Sequence, residues 1–92
     1  MEDNNLEKIL FFGAGEVAEL AYLYLQPTQL KLKGIIDEKK AGDDFFGFTI
    51  EDVGLLERED WNVVLVTRLE DIERDISYLL KNGVNSAKIA TL

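Results

Sequence analysis

The chain has 92 residues, of which 47% are apolar and nine are aromatic (one Trp, three Tyr and five Phe). These values indicate one folded domain, near the lower size limit for burying an adequate core without covalent staples. Cysteine and histidine are both absent, which excludes disulfides, thiol nucleophiles, imidazole acid–base catalysis and the ordinary zinc sites.

The chain is acidic, because it has 10 Lys and Arg residues and 18 Asp and Glu residues, which gives a net charge of −8. Nucleic acids and anionic lipids are bound through basic surfaces, so we expect no direct nucleic acid binding. No apolar run reaches the roughly 20 residues of a membrane span, and the acidic start lacks a basic signal-peptide region. We therefore expect no membrane insertion, and the absence of cysteine favours a cytoplasmic location.

The amino-terminal part is expected to form a flexible tail over residues 1–6, followed by one domain over residues 7–92. Lys8–Phe12 is a short apolar run that predicts a buried strand. A helix is predicted over Glu16–Gln26, because Pro27 cannot continue it. The apolar residues of this helix nearly encircle it, although covering one sheet face needs only one apolar stripe. We expect the surplus to form a homodimer interface, or else to be covered by residues 45–57 of the same chain.

The central part alternates between short apolar runs and polar segments. Leu32–Asp37 predicts the second strand, and a charged loop follows over residues 38–44. Residues 45–50 predict an aromatic turn and a short third strand, and Glu51–Glu57 predicts a short helix. Trp61–Thr67 predicts the fourth strand, because its β-branched run is typical of a central parallel strand.

The carboxyl-terminal part begins with a helix signal. Thr67 and Glu70 match a capping box, with Thr67 as the N-cap of an amphipathic helix that Asn82 and Gly83 end. Lys88–Leu92 predicts the fifth strand. Strands that alternate with helical crossovers predict an α/β fold, here a small doubly wound parallel sheet of order 3-2-1-4-5 with helices on both faces.

The first strand-to-helix turn is the main candidate binding site, because ligands of such sheets lie beyond the carboxyl ends of the strands. Gly13 permits the tight turn, and Gly15 lets a pyrophosphate approach the backbone. Exposed amides at the helix start would hold the anion. The alternative is that the glycines only form a tight turn. The candidate ligand-binding residues of this turn are Gly13, Ala14, Gly15, Glu16 and Val17.

Three further candidates follow the second and fourth strands. Asp37 lies 24 positions after Gly13, where an acid accepts hydrogen bonds from ribose hydroxyls and disfavours a 2′-phosphate. Lys39 and Lys40 are near enough to offset this charge, and the alternative is an exposed acid that starts a turn with Glu38. Thr67 is either only a helix cap or also a ligand contact, and Arg68 either pairs with a phosphate or is an ordinary solvated side chain. The expected cofactor is NAD or another nucleotide. No catalytic residue and no metal site are predicted.

Several motifs, in chain order, resemble those of a known domain type: Gly13-Ala14-Gly15-Glu16-Val17-Ala18, Gly34-Ile35-Ile36-Asp37, the Phe46-Gly47-Phe48 turn and the helix end at Leu80–Val84. They resemble the amino-terminal Rossmann-like domain of polysaccharide-biosynthesis sugar-nucleotide epimerases and dehydratases. They are also similar to the sugar-nucleotide-binding domain of related acetyltransferases. The resemblance covers about residues 7–92 and implies a nucleotide-, sugar-nucleotide- or dinucleotide-binding or sensing module, without turnover of its own.

The sequence is compatible with three functional hypotheses. The leading one is a binding or sensing module, either part of a longer protein or a free-standing regulator. The second is a subunit or domain of an NAD-dependent or sugar-nucleotide-modifying enzyme, and the third is an interaction domain without a ligand.

Overall fold

A computed structural model describes residues 7–91, so the expected tail over residues 1–6 lies outside the described residues, as does Leu92. The chain forms strands and helices in the following order: β1 (Lys8–Phe12), α1 (Glu16–Leu25), β2 (Lys31–Ile36), β3 (Asp44–Phe45), β4 (Phe48–Thr49), α2 (Leu55–Arg58), β5 (Val63–Val66), α3 (Ile72–Lys81), a 3₁₀ turn (Ser86–Lys88) and β6 (Ile89–Thr91).

The main sheet has four parallel strands in the order β2-β1-β5-β6. Phe11 of β1 lies beside Ile35 on one side and beside Leu65 on the other. The chain first moves outward from β1 to β2 and then crosses back to β5, so the order reverses between β1 and β5. The expected α/β class with a parallel sheet is confirmed, and this reversal is the position where such sheets bind ligands.

The expected third strand does not join the sheet, so the predicted order 3-2-1-4-5 is not observed. Instead β3 and β4 form a separate antiparallel hairpin, and only one bridge, between Ile36 and Glu51, connects this segment to the edge of β2. The turn of this hairpin is formed by Phe46 and Gly47, whose φ angles of 49° and 93° are those of a tight two-residue hairpin. The Phe46 ring stacks on Tyr22 at 4.4 Å between centroids, which stabilises this unusual backbone.

Helices cover both faces of the sheet, because alternate side chains of a strand point to opposite faces. Phe11 packs on one face with Ala18 of α1. Phe12 packs on the other face, where Leu55 of α2 and Leu79 of α3 belong to the same cluster. The two clusters together form the core on which the carboxyl ends of the strands are fixed.

The surplus apolar surface of α1 is only partly covered. Tyr22 and Leu25 pack against the cluster that contains Phe45, so the same chain covers this side of the helix. The outer side chains Leu23 and Tyr24 are 58% and 76% exposed, and Leu20 is 57% exposed. The homodimer expected from the sequence stays a prediction, now restricted to this outer side.

Candidate functional site

A cleft of about 440 Å³ opens at the carboxyl ends of β1, β2 and β5. Seven of the eight candidate residues line this cleft, whereas Glu16 is exposed and does not. The remaining walls come from the loops that follow β2 and β5. The lining residues are Gly13, Ala14, Gly15, Val17, Asp37, Lys39, Lys40, Thr67, Arg68, Leu69, Glu70 and Asp71.

The glycine turn is anchored from the strands on both sides. The Gly13 amide donates to the Ile36 carbonyl at 2.8 Å, and the Thr67 hydroxyl donates to the Gly13 carbonyl at 2.5 Å. Gly13 has a φ of +115°, a conformation that other residues rarely adopt. A buried carbonyl needs a donor, so Thr67, which is 2% exposed, has a structural role in this turn.

The predicted capping box is therefore wrong. Helix α3 begins at Ile72 with Asp71 as its N-cap residue, and no side chain makes a capping hydrogen bond there. The Thr67 hydroxyl is not available for capping, because it is bonded to the Gly13 carbonyl across the sheet. Residues 67–71 form a loop that lines the cleft instead of the first helical turn.

The amino terminus of α1 is directed at the cleft without a capping side chain. Gly15 is the N-cap residue, in extended backbone with a φ of 177°. The unpaired amides of a first helical turn attract anions. Lys40 adds a positive charge, because its Nζ donates to the Ala14 carbonyl at 2.7 Å and lies 4.0 Å from the position that a Cβ on Gly15 would occupy. Among residues 7–91, no carboxylate lies within 4.0 Å of the Lys40 ammonium group.

Asp37 follows β2 directly and is 6% exposed. Its Oδ2 accepts a hydrogen bond from the Ala14 amide at 2.9 Å, and its Oδ1 accepts one from the Lys39 amide at 3.0 Å. Asp37 thus connects the glycine turn to the loop that carries Lys40. A carboxylate has about four acceptor positions, and these two hydrogen bonds use two of them.

Arg68 lies across the glycine turn. A Cβ on Gly13 would lie 2.9 Å from both the Cγ and the Nε of Arg68. The Arg68 Nη2 is 3.9 Å from the Asp37 Oδ2, and the Arg68 Nε is 3.4 Å from the Asp75 Oδ2. The guanidinium group is therefore held between two acids that come from different elements of the fold.

Asp75 is the residue of this region that the sequence did not single out. It lies in the first turn of α3 and is 6% exposed. Burial raises its pKa, and the Arg68 guanidinium lowers it in part. The available signal was its spacing: Asp75 lies three residues after Ile72 and four before Leu79, which places an acid on the buried face of an amphipathic helix.

The basic side chains of the cleft can bind an anion. Three basic residues and three acids line the cleft, so its charges balance in a chain whose net charge is −8: Lys39, Lys40 and Arg68, and Asp37, Glu70 and Asp71. The Thr67 hydroxyl is buried and donates to a carbonyl, so it has no adjacent general base. Within residues 7–91, no group of three or more acids is placed to hold a metal ion.

Comparison with known proteins does not assign a family. No protein-family model matches the chain, and no curated protein matches it. In the part of the chain that the structure describes, no helix has the length and apolar character to cross a membrane. The resemblance to Rossmann-like domains of polysaccharide-biosynthesis enzymes therefore stays a prediction from sequence.

Proposed function

We propose that this domain binds or senses a nucleotide, sugar nucleotide or dinucleotide, with a phosphate of the ligand at the Gly13–Val17 turn. One observation carries the proposal: the uncapped amino terminus of α1 and the Lys40 ammonium group meet at Gly15. Two positive centres at one point favour an anion between them. The backbone at Gly15 is accessible, because an added Cβ there would meet only the Lys40 Nζ, at 4.0 Å.

The remainder of the cleft suits the other parts of a nucleotide. Its volume of about 440 Å³ falls within the usual range of small-molecule sites, about 300–1,000 Å³. Val17 and Leu69 supply apolar surface for a base or sugar ring. The free acceptor positions of Asp37 suit ribose hydroxyls, so NAD is the first cofactor to test.

The proposed role is recognition without turnover. Binding and orientation need only the amides, cations and apolar surface of the cleft, whereas hydride or group transfer needs an acid–base or nucleophilic pair. Completion of an enzyme site by another chain or domain is the alternative, and an interaction domain without a ligand is the second alternative.

A thermal-shift screen against nicotinamide dinucleotides, sugar nucleotides and coenzyme A tests the proposal. A ligand at 100 times its dissociation constant stabilises the folded state by about 2.7 kcal/mol. For a domain of this size we expect a rise in melting temperature of about 10 °C or more.

The matched control is Gly15→Val, whose side chain fills the space between Lys40 and the start of α1. The extended backbone at this position is one that valine adopts without strain. We expect this variant to melt near the wild-type temperature but to show no shift with the ligand. An equal shift in both proteins would place the ligand elsewhere. No shift with any compound would favour the interaction domain.

A further inference from the structure

We call the position proposed for the phosphate, between the start of α1 and the Lys40 ammonium group, the phosphate seat. Asp75 is a buried acid that is not part of it. Its Oδ2 is buried and has no hydrogen-bond partner, and the same holds for the Nε of Arg68, 3.4 Å away. Burying a carboxylate is unfavourable unless a partner compensates its charge. Among residues 7–91, Arg68 is the one cation that forms an ion pair with Asp75.

The contact fixes where the guanidinium group lies. Asp75 approaches it at Nε, and Asp37 approaches it at Nη2. Between these acids the side chain crosses Gly13, against which its Cγ and Nε pack. Arg68 makes no hydrogen bond within residues 7–91, and its side chain is 37% exposed, so its N–H groups still have donor capacity at the cleft.

The glycine turn thus carries one cation at each end. Lys40 lies beside Gly15, and Arg68 lies over Gly13. Even two residues of fully extended chain span at most about 7 Å, and this turn is tighter, so a phosphate at the Lys40 end leaves Arg68 for a neighbouring charged group. Arginine is suited to such a contact, because its planar donor fork matches phosphate oxygens.

We propose that Asp75 is a positioning residue, which holds Arg68 over Gly13 so that Arg68 contacts the second phosphate of a diphosphate-containing ligand. This inference rests on the proposed function, because it assumes that the first phosphate lies at the start of α1. It assigns the contact with the second phosphate to Arg68 and the placement of Arg68 to Asp75, since a site with both cations in place favours a diphosphate over a single phosphate.

The test compares inorganic pyrophosphate with inorganic phosphate by calorimetry, at constant ionic strength. Wild-type protein is expected to bind pyrophosphate more tightly. Asp75→Asn, which keeps the shape and removes the charge, lowers the ratio of the two affinities about tenfold, the usual effect of losing one charge-assisted hydrogen bond, here the bond from Arg68 to the second phosphate. Asp71→Asn is the matched control: Asp71 also lines the cleft, its φ of 57° suits asparagine, and it does not contact Arg68. Pyrophosphate carries more negative charge than phosphate, so removing the Asp71 charge raises the ratio or leaves it unchanged, whereas Asp75→Asn lowers it.

Two further measurements separate positioning from a general structural effect. Arg68→Gln lowers the ratio to the same level, and adding Asp75→Asn to it has no further effect, because both changes remove one contact. In NMR spectra the Arg68 Nε–Hε signal shifts with pyrophosphate and not with phosphate, and this response is lost in Asp75→Asn. If Asp75→Asn does not fold, Arg68→Gln and the wild-type signal decide the test.

The outcomes distinguish the two proposals. If wild-type protein binds both anions but the ratio is unchanged in Asp75→Asn or in Arg68→Gln, the role of Asp75 and Arg68 is refuted and the phosphate seat stands. If wild-type protein binds neither anion, the phosphate seat itself is refuted, and the role of Asp75 fails with it.

Discussion

Replacing Gly13 with alanine tests whether the backbone geometry of the turn is essential to the fold. At a φ of +115° an L-residue is strained, and the new Cβ would lie 2.9 Å from two atoms of Arg68. Backbone strain of this kind costs about 1–3 kcal/mol. Displacing the packed Arg68 side chain adds about 1 kcal/mol or more, so we expect a total loss of about 2–4 kcal/mol.

Equilibrium unfolding in urea measures this loss. Stabilities of about 0.05–0.15 kcal/mol per residue imply a total of about 5–14 kcal/mol for this chain, so Gly13→Ala is expected to fold. With an m value of about 1 kcal/mol per molar urea, its unfolding midpoint falls by about 2–4 M.

Gly15→Ala is the matched control, two residues further along the same turn. Gly15 is in extended backbone, and its added Cβ would meet only the Lys40 Nζ, at 4.0 Å. Alanine is a poorer N-cap residue than glycine but restricts the unfolded chain, so the net change stays within about 1 kcal/mol. Equal urea unfolding midpoints for Gly13→Ala and Gly15→Ala would refute the claim that the fold needs the positive φ of Gly13 and its contact with Arg68.

Three further predictions concern selectivity, pH and assembly. Asp37→Ala relieves repulsion of a 2′-phosphate and removes a ribose acceptor, so calorimetry should show a shift of preference from NAD toward its 2′-phosphorylated form; an unchanged preference would exclude the ribose role. Burial raises the pKa of Asp75 in the folded state, so wild-type protein loses stability relative to Asp75→Asn as the pH rises above the ordinary carboxyl value of about 3.9. Urea unfolding midpoints of wild-type protein and Asp75→Asn at pH 4 and pH 7 check this. If Asp75→Asn instead loses stability relative to wild-type protein between pH 4 and pH 7, the pKa of Asp75 is lowered by folding and the prediction is wrong. Light scattering should show a dimer that Leu23→Glu dissociates, because Leu23 is 58% exposed on α1; a wild-type monomer of 10.4 kDa would rule this interface out.

The sequence predicted the parts of the fold that depend on local pattern. The apolar run of β1, the two glycines and the start of α1 are consecutive, so their order alone indicates a strand, a turn and a helix. The position of Asp37 after β2 followed in the same way. The parallel sheet followed from the alternation of these elements.

Contacts between distant residues were not accessible from local pattern. The Thr67 hydroxyl bonds to a carbonyl 54 positions away, and this bond displaces the capping box that Thr67 and Glu70 suggest. The pairing of Arg68 with Asp75 likewise depends on the packing of α3 against the sheet. The predicted third strand forms but pairs with β3 in a hairpin, whose turn places Phe46, an unusual residue for a tight hairpin turn, at a positive φ while its ring stacks on Tyr22.

The most direct test of the phosphate seat is an NMR titration of ¹⁵N-labelled protein with inorganic pyrophosphate, the group that nicotinamide dinucleotides, nucleoside-diphosphate sugars and coenzyme A share. If the anion binds at the start of α1, the largest amide shifts occur at Gly15, Glu16 and Val17, and they are lost in Gly15→Val. Shifts confined to other surfaces, or shifts at these amides that persist in Gly15→Val, would contradict the proposed site.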